Sequence, residues 1–399
     1  GDGDLDLVVN GFEEPILVYR NDVSTGNPLR IKLKGRVSNS GGIGTKIILD
    51  TNNGRKSMVR YVTGSRGFMS SSEPIVHFGL GNMDMAEKIT IYWPSGITQI
   101  LQDIPANFLY VIAEPNLPSQ KINQPILVKS VGTMFSSSEV GLAKVLHQEM
   151  EYDDFQRQKL LPNKSSQLGP GMAWGDVNGN GYDDVFIGGS AGFMGRLFLN
   201  MGNGQFKNAL QFCFTYDVRS EDMGSLFFDF DRDGDLDLYV VSGGVECKPG
   251  AVLLRDRLYI NDGTGNFQKG SLDLLPDIRS SGSVVAAADI DGDSHLELFV
   301  GGRIVPGKYP ESPRSYVLRN TGSKYEDATD VFAPKIKQSG MVTSALFTDV
   351  DGDHQPDLLV TYEWGPVRYF HNEGGQLIDR TSHVGLSDRQ GWYNSISGG

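Results

Sequence analysis

The chain has 399 residues, 39% hydrophobic and 21% charged, enough for sizeable buried cores and for more than one ordinary domain. A net charge of −13 with no basic stripe excludes a nucleic-acid binder, and no apolar run approaches the ~18 residues of a membrane-spanning helix. The 50 glycines point to turns rather than helix, and two cysteines, Cys213 and Cys247, exclude a disulfide framework while leaving open one bridge or two thiols.

The chain opens inside a pattern. Asp2, Asp4 and Asp6 match positions five, seven and nine of an acidic motif that recurs further on. Gly398 and Gly399 stand where the next copy would begin. Both ends are therefore expected to be cut, although the two halves could complete one repeat unit together. Residues 1–27 read as the C-terminal part of such a unit.

Residues 28–115 read as a separate β-rich domain. The segments 29–33, 45–49, 57–62 and 88–92 alternate or run apolar between glycine-rich turns. His77, alone beside Phe78, reads as structural rather than catalytic. Pro115, Pro118 and Pro125 with polar spacers read as a linker, and 116–164 as linker and lead-in.

From 165 to 399 the chain repeats. Four nine-residue segments align without gaps, starting at Asp176, Asp229, Asp289 and Asp349. Their odd positions are Asp176, Asn178, Asn180, Tyr182 and Asp184; Asp229, Asp231, Asp233, Asp235 and Asp237; Asp289, Asp291, Asp293, His295 and Glu297; and Asp349, Asp351, Asp353, Gln355 and Asp357. Oxygens at positions one, three and five of a tight loop converge on one point, as Ca²⁺ requires; a carbonyl at seven and a carboxylate at nine complete the shell. Up to four Ca²⁺ sites are expected, with the all-carboxylate loop at 229–237 the strongest. Acidic residues concentrate here, 19 of the 49 in the chain when the opening triplet is included. Solubilising charge would spread over the surface instead.

These loops are not EF-hands, which need a bidentate Glu at position twelve and flanking helices. Position twelve is Ile187, Val240, Val300 and Val360. The flanks, such as Leu226-Phe227-Phe228 before and Leu238-Tyr239-Val240 after, read as buried strands. Downstream of each loop an apolar run, an Asn, a glycine turn and in most copies an aromatic restart describe a hairpin, around Asn200, Asn261, Asn320 and Asn372. Each period thus holds about four strands, the content of one propeller blade.

With these residues in place, the repeats resemble FG-GAP (VCBS) repeats, the blades of integrin-type β-propellers; Asp184-Val-Phe-Ile-Gly188-Gly189 resembles the phrase that names them. Residues 28–115 resemble the ASPIC/UnbV domain on three motifs in order: Gly42-Ile-Gly44-Thr-Lys46, His77-Phe-Gly-Leu-Gly81 and Ile91-Tyr-Trp93-Pro94-Ser95-Gly96. The order of the parts is similar to large secreted or surface proteins of bacteria, particularly Bacteroidetes. The resemblance implies an all-β fold and a calcium-binding extracellular module, non-catalytic, with an adhesion or scaffold role and a protein or glycan partner. No zinc-type His spacing, nucleophile elbow or Walker loop is present. The alternative is a calcium-dependent polysaccharide lyase or glycosidase, whose acid–base pairs would come from different blades.

Overall fold

The computed structural model describes residues 7–9, 17–20, 26–51, 56–64, 74–116, 127–129, 136–137 and 141–397. The opening triplet Asp2, Asp4 and Asp6, the linker prolines Pro118 and Pro125, and the closing Gly398-Gly399 lie outside them.

Four antiparallel four-stranded sheets follow one another, each a meander in chain order. Blade 1 comprises Met172–Gly175, Asp184–Ile187, Arg196–Asn200 and Phe206–Ala209. Blade 2 comprises Glu221–Phe228, Asp237–Gly243, Arg257–Asn261 and Phe267–Lys269. Blade 3 comprises Gly282–Ala288, Glu297–Gly302, Tyr316–Asn320 and Tyr325–Asp327. Blade 4 comprises Met341–Thr348, Asp357–Glu363, Arg368–Asn372 and Leu377–Asp379. The fold is all-β, with helices of a single turn.

The first two strands of blades 2 and 3 are buried along their whole length, whereas the outer strand Phe206–Ala209 is not. Both faces of an inner strand pack on neighbouring blades, so its sequence runs apolar instead of alternating. The apolar twelfth positions fall here: Ile187, Val240, Val300 and Val360 are all buried. The one-turn helix Phe212–Thr215 wedges Phe214 between blades, its ring 5.3 Å from Phe186 and 4.9 Å from Tyr259. Its Cys213 and the loop residue Cys247 are free thiols, so the bridge left open by the sequence is not made.

Residues 28–113 form a sandwich of two sheets. One orders Lys56–Tyr61, Lys46–Thr51, Met85–Tyr92 and Thr98–Pro105. The other orders Leu127–Lys129, Phe108–Ala113, Pro28–Lys34 and Ile75–Gly79, its middle pair parallel. Leu29, Ile31 and Leu33 alternate inward and share one core with Ile47, Leu49, Ile89 and Ile91. The strand Leu127–Lys129 comes from the stretch 116–164, and Ser136–Ser137 pairs with Leu17–Arg20, which pairs with Leu7–Val9. His77 faces Arg30 across the sheet, within the fabric of the domain.

The sandwich core continues into the propeller through Leu226, Phe228, Leu296 and Leu298. Contact centres on the Gly42-to-Lys46 motif. Gly42 and Gly44 hold φ of +64° and +91°, and a Cβ on Gly42 would lie 2.9 Å from the Leu33 side chain. This tight turn places Ile43 beside Phe228, Ala287 and Phe347, at the ends of three inner strands. Buried Glu114 fixes the preceding loop, accepting from the backbone N–H of Arg36, Val37 and Ser38 at 2.7–2.8 Å.

The lead-in segment crosses the other end of the blades as a strap. Ser190 Oγ of blade 1 donates to Gln148 O, and Arg157 donates to Val245 O of blade 2 at 2.6 Å and to Pro306 O after blade 3 at 3.2 Å. Gln158 exchanges two 3.1 Å hydrogen bonds with the backbone of Tyr309.

Candidate metal centres

Each acidic loop joins the first strand of its blade to the second, at the end covered by the sandwich. The local folding is the same four times. The position-one carboxylate accepts a backbone N–H from position six: Gly181 to Asp176 at 2.8 Å, Gly234 to Asp229 at 3.1 Å, Ser294 to Asp289 at 3.0 Å and His354 to Asp349 at 3.2 Å. The backbone turns left-handed at positions four and six in every copy. Five of those eight residues are glycines; Arg232, Ser294 and His354 hold φ of +66°, +71° and +72° without that freedom.

Position nine opens the second strand and is buried in every copy. Its carboxylate accepts from the N–H of position two, Val177, Phe230, Ile290 and Val350, and from the N–H of the hairpin Asn, at 2.7–3.4 Å. The repeated asparagines have a further task. Asn261, Asn320 and Asn372 each donate Nδ2 to the position-two carbonyl of the preceding blade's loop, Val177 O at 2.7 Å, Phe230 O at 3.0 Å and Ile290 O at 2.9 Å. One side chain thus ties its own loop to the next loop round the ring.

Position-seven side chains turn to the hairpin glycines. Tyr182 lies against Gly202, Asp235 against Gly263 and His295 against Gly322, and Gln355 Oε1 accepts from Gly374 N. Two of them also touch the position-five carboxylate of their own loop: His295 Nδ1 lies 3.2 Å from Asp293, and Gln355 Nε2 donates to Asp353 at 3.0 Å.

Three loops bring their carboxylates together. Asp229, Asp231 and Asp237 each offer an oxygen within 4.8 Å of the others, as do Asp289, Asp291 and Glu297, and Asp349, Asp351 and Asp357. The loop at 176–184 has carboxylates at positions one and nine but amides at three and five, with Asn178 Nδ2 turned to donate to Asp184 at 3.1 Å. Asn180, Asp233, Asp293 and Asp353 at position five accept from the N–H of position seven. Asp353 also joins Asp351 and His371 in a fourth grouping.

Hard anionic oxygens brought together with partial burial suit Ca²⁺, and the strain of their own charge supports that fit. Burial, with nearby acidic charges adding to it, pushes Asp184 up to about 6, Asp237 up to about 7, Asp289 up to about 6 and Glu297 up to about 9. A divalent cation held by these residues would remove that penalty.

The loops differ in their cationic neighbours. Arg319 lies 3.0 Å from Asp291 and 3.5 Å from Asp293. His371 lies 3.0 Å from Asp357 and 3.4 Å from Asp351. The sandwich adds Lys32, 4.0 Å from Asp176, and Lys46, 3.7 Å from Asp349, and Tyr92 stacks on His354 at 4.8 Å. Among the described residues no basic side chain pairs with the carboxylates of the loop at 229–237; its sandwich contact is the Ser40 hydroxyl on Asp229. The sequence reading missed Arg319 and His371. They precede the hairpin Asn, where blades 1 and 2 carry Leu199 and Ile260, and that break in the apolar pattern was the available signal.

Comparison with known proteins finds matches to two family models. The family model for ASPIC and UnbV matches residues 35–119, and that for the FG-GAP-like repeat matches 176–240 and 250–300. Cartilage acidic protein 1 of Mus musculus and that of Homo sapiens are each 34% identical over 100 residues. The alignment spans 24% of this chain and 15% of either relative. Among solved structures, a mutant Aleuria aurantia lectin in complex with alpha-methyl-L-fucoside aligns with 94% of this chain and 100% of its own, at 10% identity. Its TM-score of 0.32 carries no argument. The chain therefore carries FG-GAP-like repeats and an ASPIC and UnbV domain.

Proposed function

We propose that this chain is a calcium-dependent, non-catalytic binding or scaffold module that works outside the cell. The observation that carries the reading is the convergence of three carboxylates in each of three successive loops. Dications there would fix the turn between the two inner strands of each blade. Extracellular calcium is abundant enough to fill loops of modest affinity, ~10⁻⁴–10⁻³ M for such modules. The kinship with cartilage acidic protein 1 supports an extracellular setting. No helix among the described residues is long and apolar enough to cross a membrane.

Within this reading the loop at 229–237 binds tightest, because no basic side chain must be displaced from it. The other loops hold Lys32, Arg319, or Lys46 with His371 against their carboxylates. Calorimetric titration of the EDTA-stripped chain with Ca²⁺ should resolve one strong site followed by weaker ones. Asp231→Ala should abolish the strong phase and Asp291→Ala should spare it; loss of the same phase in both variants would overturn the ranking. Release of new reducing or unsaturated ends from a polysaccharide panel would overturn the non-catalytic assignment.

A further inference from the structure

The metal loops occupy one end of the inner strands, and the other end carries a second feature. Met341 pairs with Glu363 and Thr348 with Asp357, so Glu363 lies about 20 Å along the strand from the loop of its own blade. There an open groove of about 640 Å³ runs between the strap and blades 3 and 4, lined by Leu160, Pro162, Tyr309, Pro310, Glu363 and Trp364.

Trp364 is 59% exposed and holds φ of +63°. A bulky residue in the left-handed region is strained where glycine would not be. Its indole packs on Trp392, ring centroids 4.8 Å apart, on the segment that follows the small sheet of Gly365–Pro366 and Gln390–Gly391. The indole N–H donates to Tyr309 Oη at 2.6 Å, and Tyr309 donates to Glu363 Oε1 at 2.7 Å. Buried Arg303 donates to Glu363 Oε2, and its Nε and Nη1 have no partner.

We propose that this groove binds a neutral saccharide chain, with Trp364 as the stacking platform and Tyr309 Oη, oriented by buried Glu363, as acceptor for its hydroxyls. Donor bookkeeping selects the ligand class. A proline-rich peptide docks on aromatic grooves through donors to its carbonyls, and the indole N–H that would serve is already engaged by Tyr309. Tyr309 Oη accepts from Trp364 and donates to Glu363, so the valence it has left open is a lone pair, which requires an O–H or N–H from the ligand. A saccharide supplies hydroxyl donors on its rim and an apolar C–H face for the indole. Glu363 and the net charge of −13 disfavour uronic acids. This rests on the binding-module reading and is independent of calcium, whose loops lie at the opposite end.

The test is binding of the full chain, in calcium, to an array of neutral and uronic-acid oligosaccharides and to a decaproline peptide, followed by calorimetry. Neutral oligosaccharides should bind, and Trp364→Ala should weaken them about tenfold or more while leaving the melting temperature unchanged or higher. Tyr309→Phe, which keeps the ring and removes the hydroxyl relay, should also weaken them. Absence of neutral saccharide binding, equal affinity in both variants, or binding of decaproline alone would each overturn the proposal. Calcium titration of the same samples separates the two readings: a normal calcium isotherm without saccharide binding sinks the groove alone. Saccharide binding by a chain that takes up no calcium sinks the metal sites alone.

Discussion

Arg232, Ser294 and His354 occupy left-handed positions that glycine fills in the sister loops. Ser294 makes no side-chain hydrogen bond among those described, so Ser294→Gly should raise stability by up to ~1 kcal/mol, seen as a higher denaturation midpoint in calcium. A lowered midpoint would mean that the serine hydroxyl supports the loop. His354→Gly should gain less, since it also loses the stack on Tyr92. The buried carboxylates give a second prediction. Asp237 and Glu297 are raised to about 7 and about 9, above their unfolded values, so the metal-free fold binds more protons than the unfolded chain. Their contribution is fully present below pH ~4 and lost as pH rises through 7 and then 9. In EDTA the melting temperature should therefore fall between pH 5 and 8, and calcium should flatten or reverse that slope. A calcium-independent profile would contradict the assignment of these groups as ligands.

At the scale of elements, the repeated asparagine is what joins one blade's loop to the next. Asn320→Ala would leave Phe230 O unpaired in a buried setting and should cost about 1–3 kcal/mol in denaturant unfolding. Asn200 has no preceding blade among its partners and donates to Asp183 O of its own loop, so Asn200→Ala should cost less. Equal costs would show that the bridge between blades contributes nothing. Much of this level was legible beforehand. The nine-residue spacing, the apolar twelfth position and the hairpin asparagines each report local geometry, and local geometry repeats with the sequence. His371 and Arg319 were not legible as loop neighbours, because they reach the carboxylates across a strand pairing that the linear motif does not contain. The groove at Trp364 was equally hidden. Its walls come from the strap near Leu160, the loop at Tyr309 and the end of a blade 4 strand, residues separated by up to 204 positions.

For the whole molecule, the sandwich and the strap cover opposite ends of the blades, and the sandwich reaches the acidic loops. Three ASPIC/UnbV-like motifs were visible in the sequence, yet nothing in them told that Lys46 would stand 3.7 Å from Asp349. With that lysine removed, Lys46→Met should tighten calcium at the 349–357 loop by roughly fivefold, the scale of one partly screened charge pair. Unchanged affinity would mean that the lysine moves aside without cost. Whether calcium holds the inner strand turns of this propeller is read from calorimetric unfolding of one preparation in EDTA and in millimolar Ca²⁺. The melting temperature should be substantially higher in calcium, with the gain reduced more by Asp231→Ala than by Asp291→Ala. An identical melting temperature in EDTA and in calcium would contradict it.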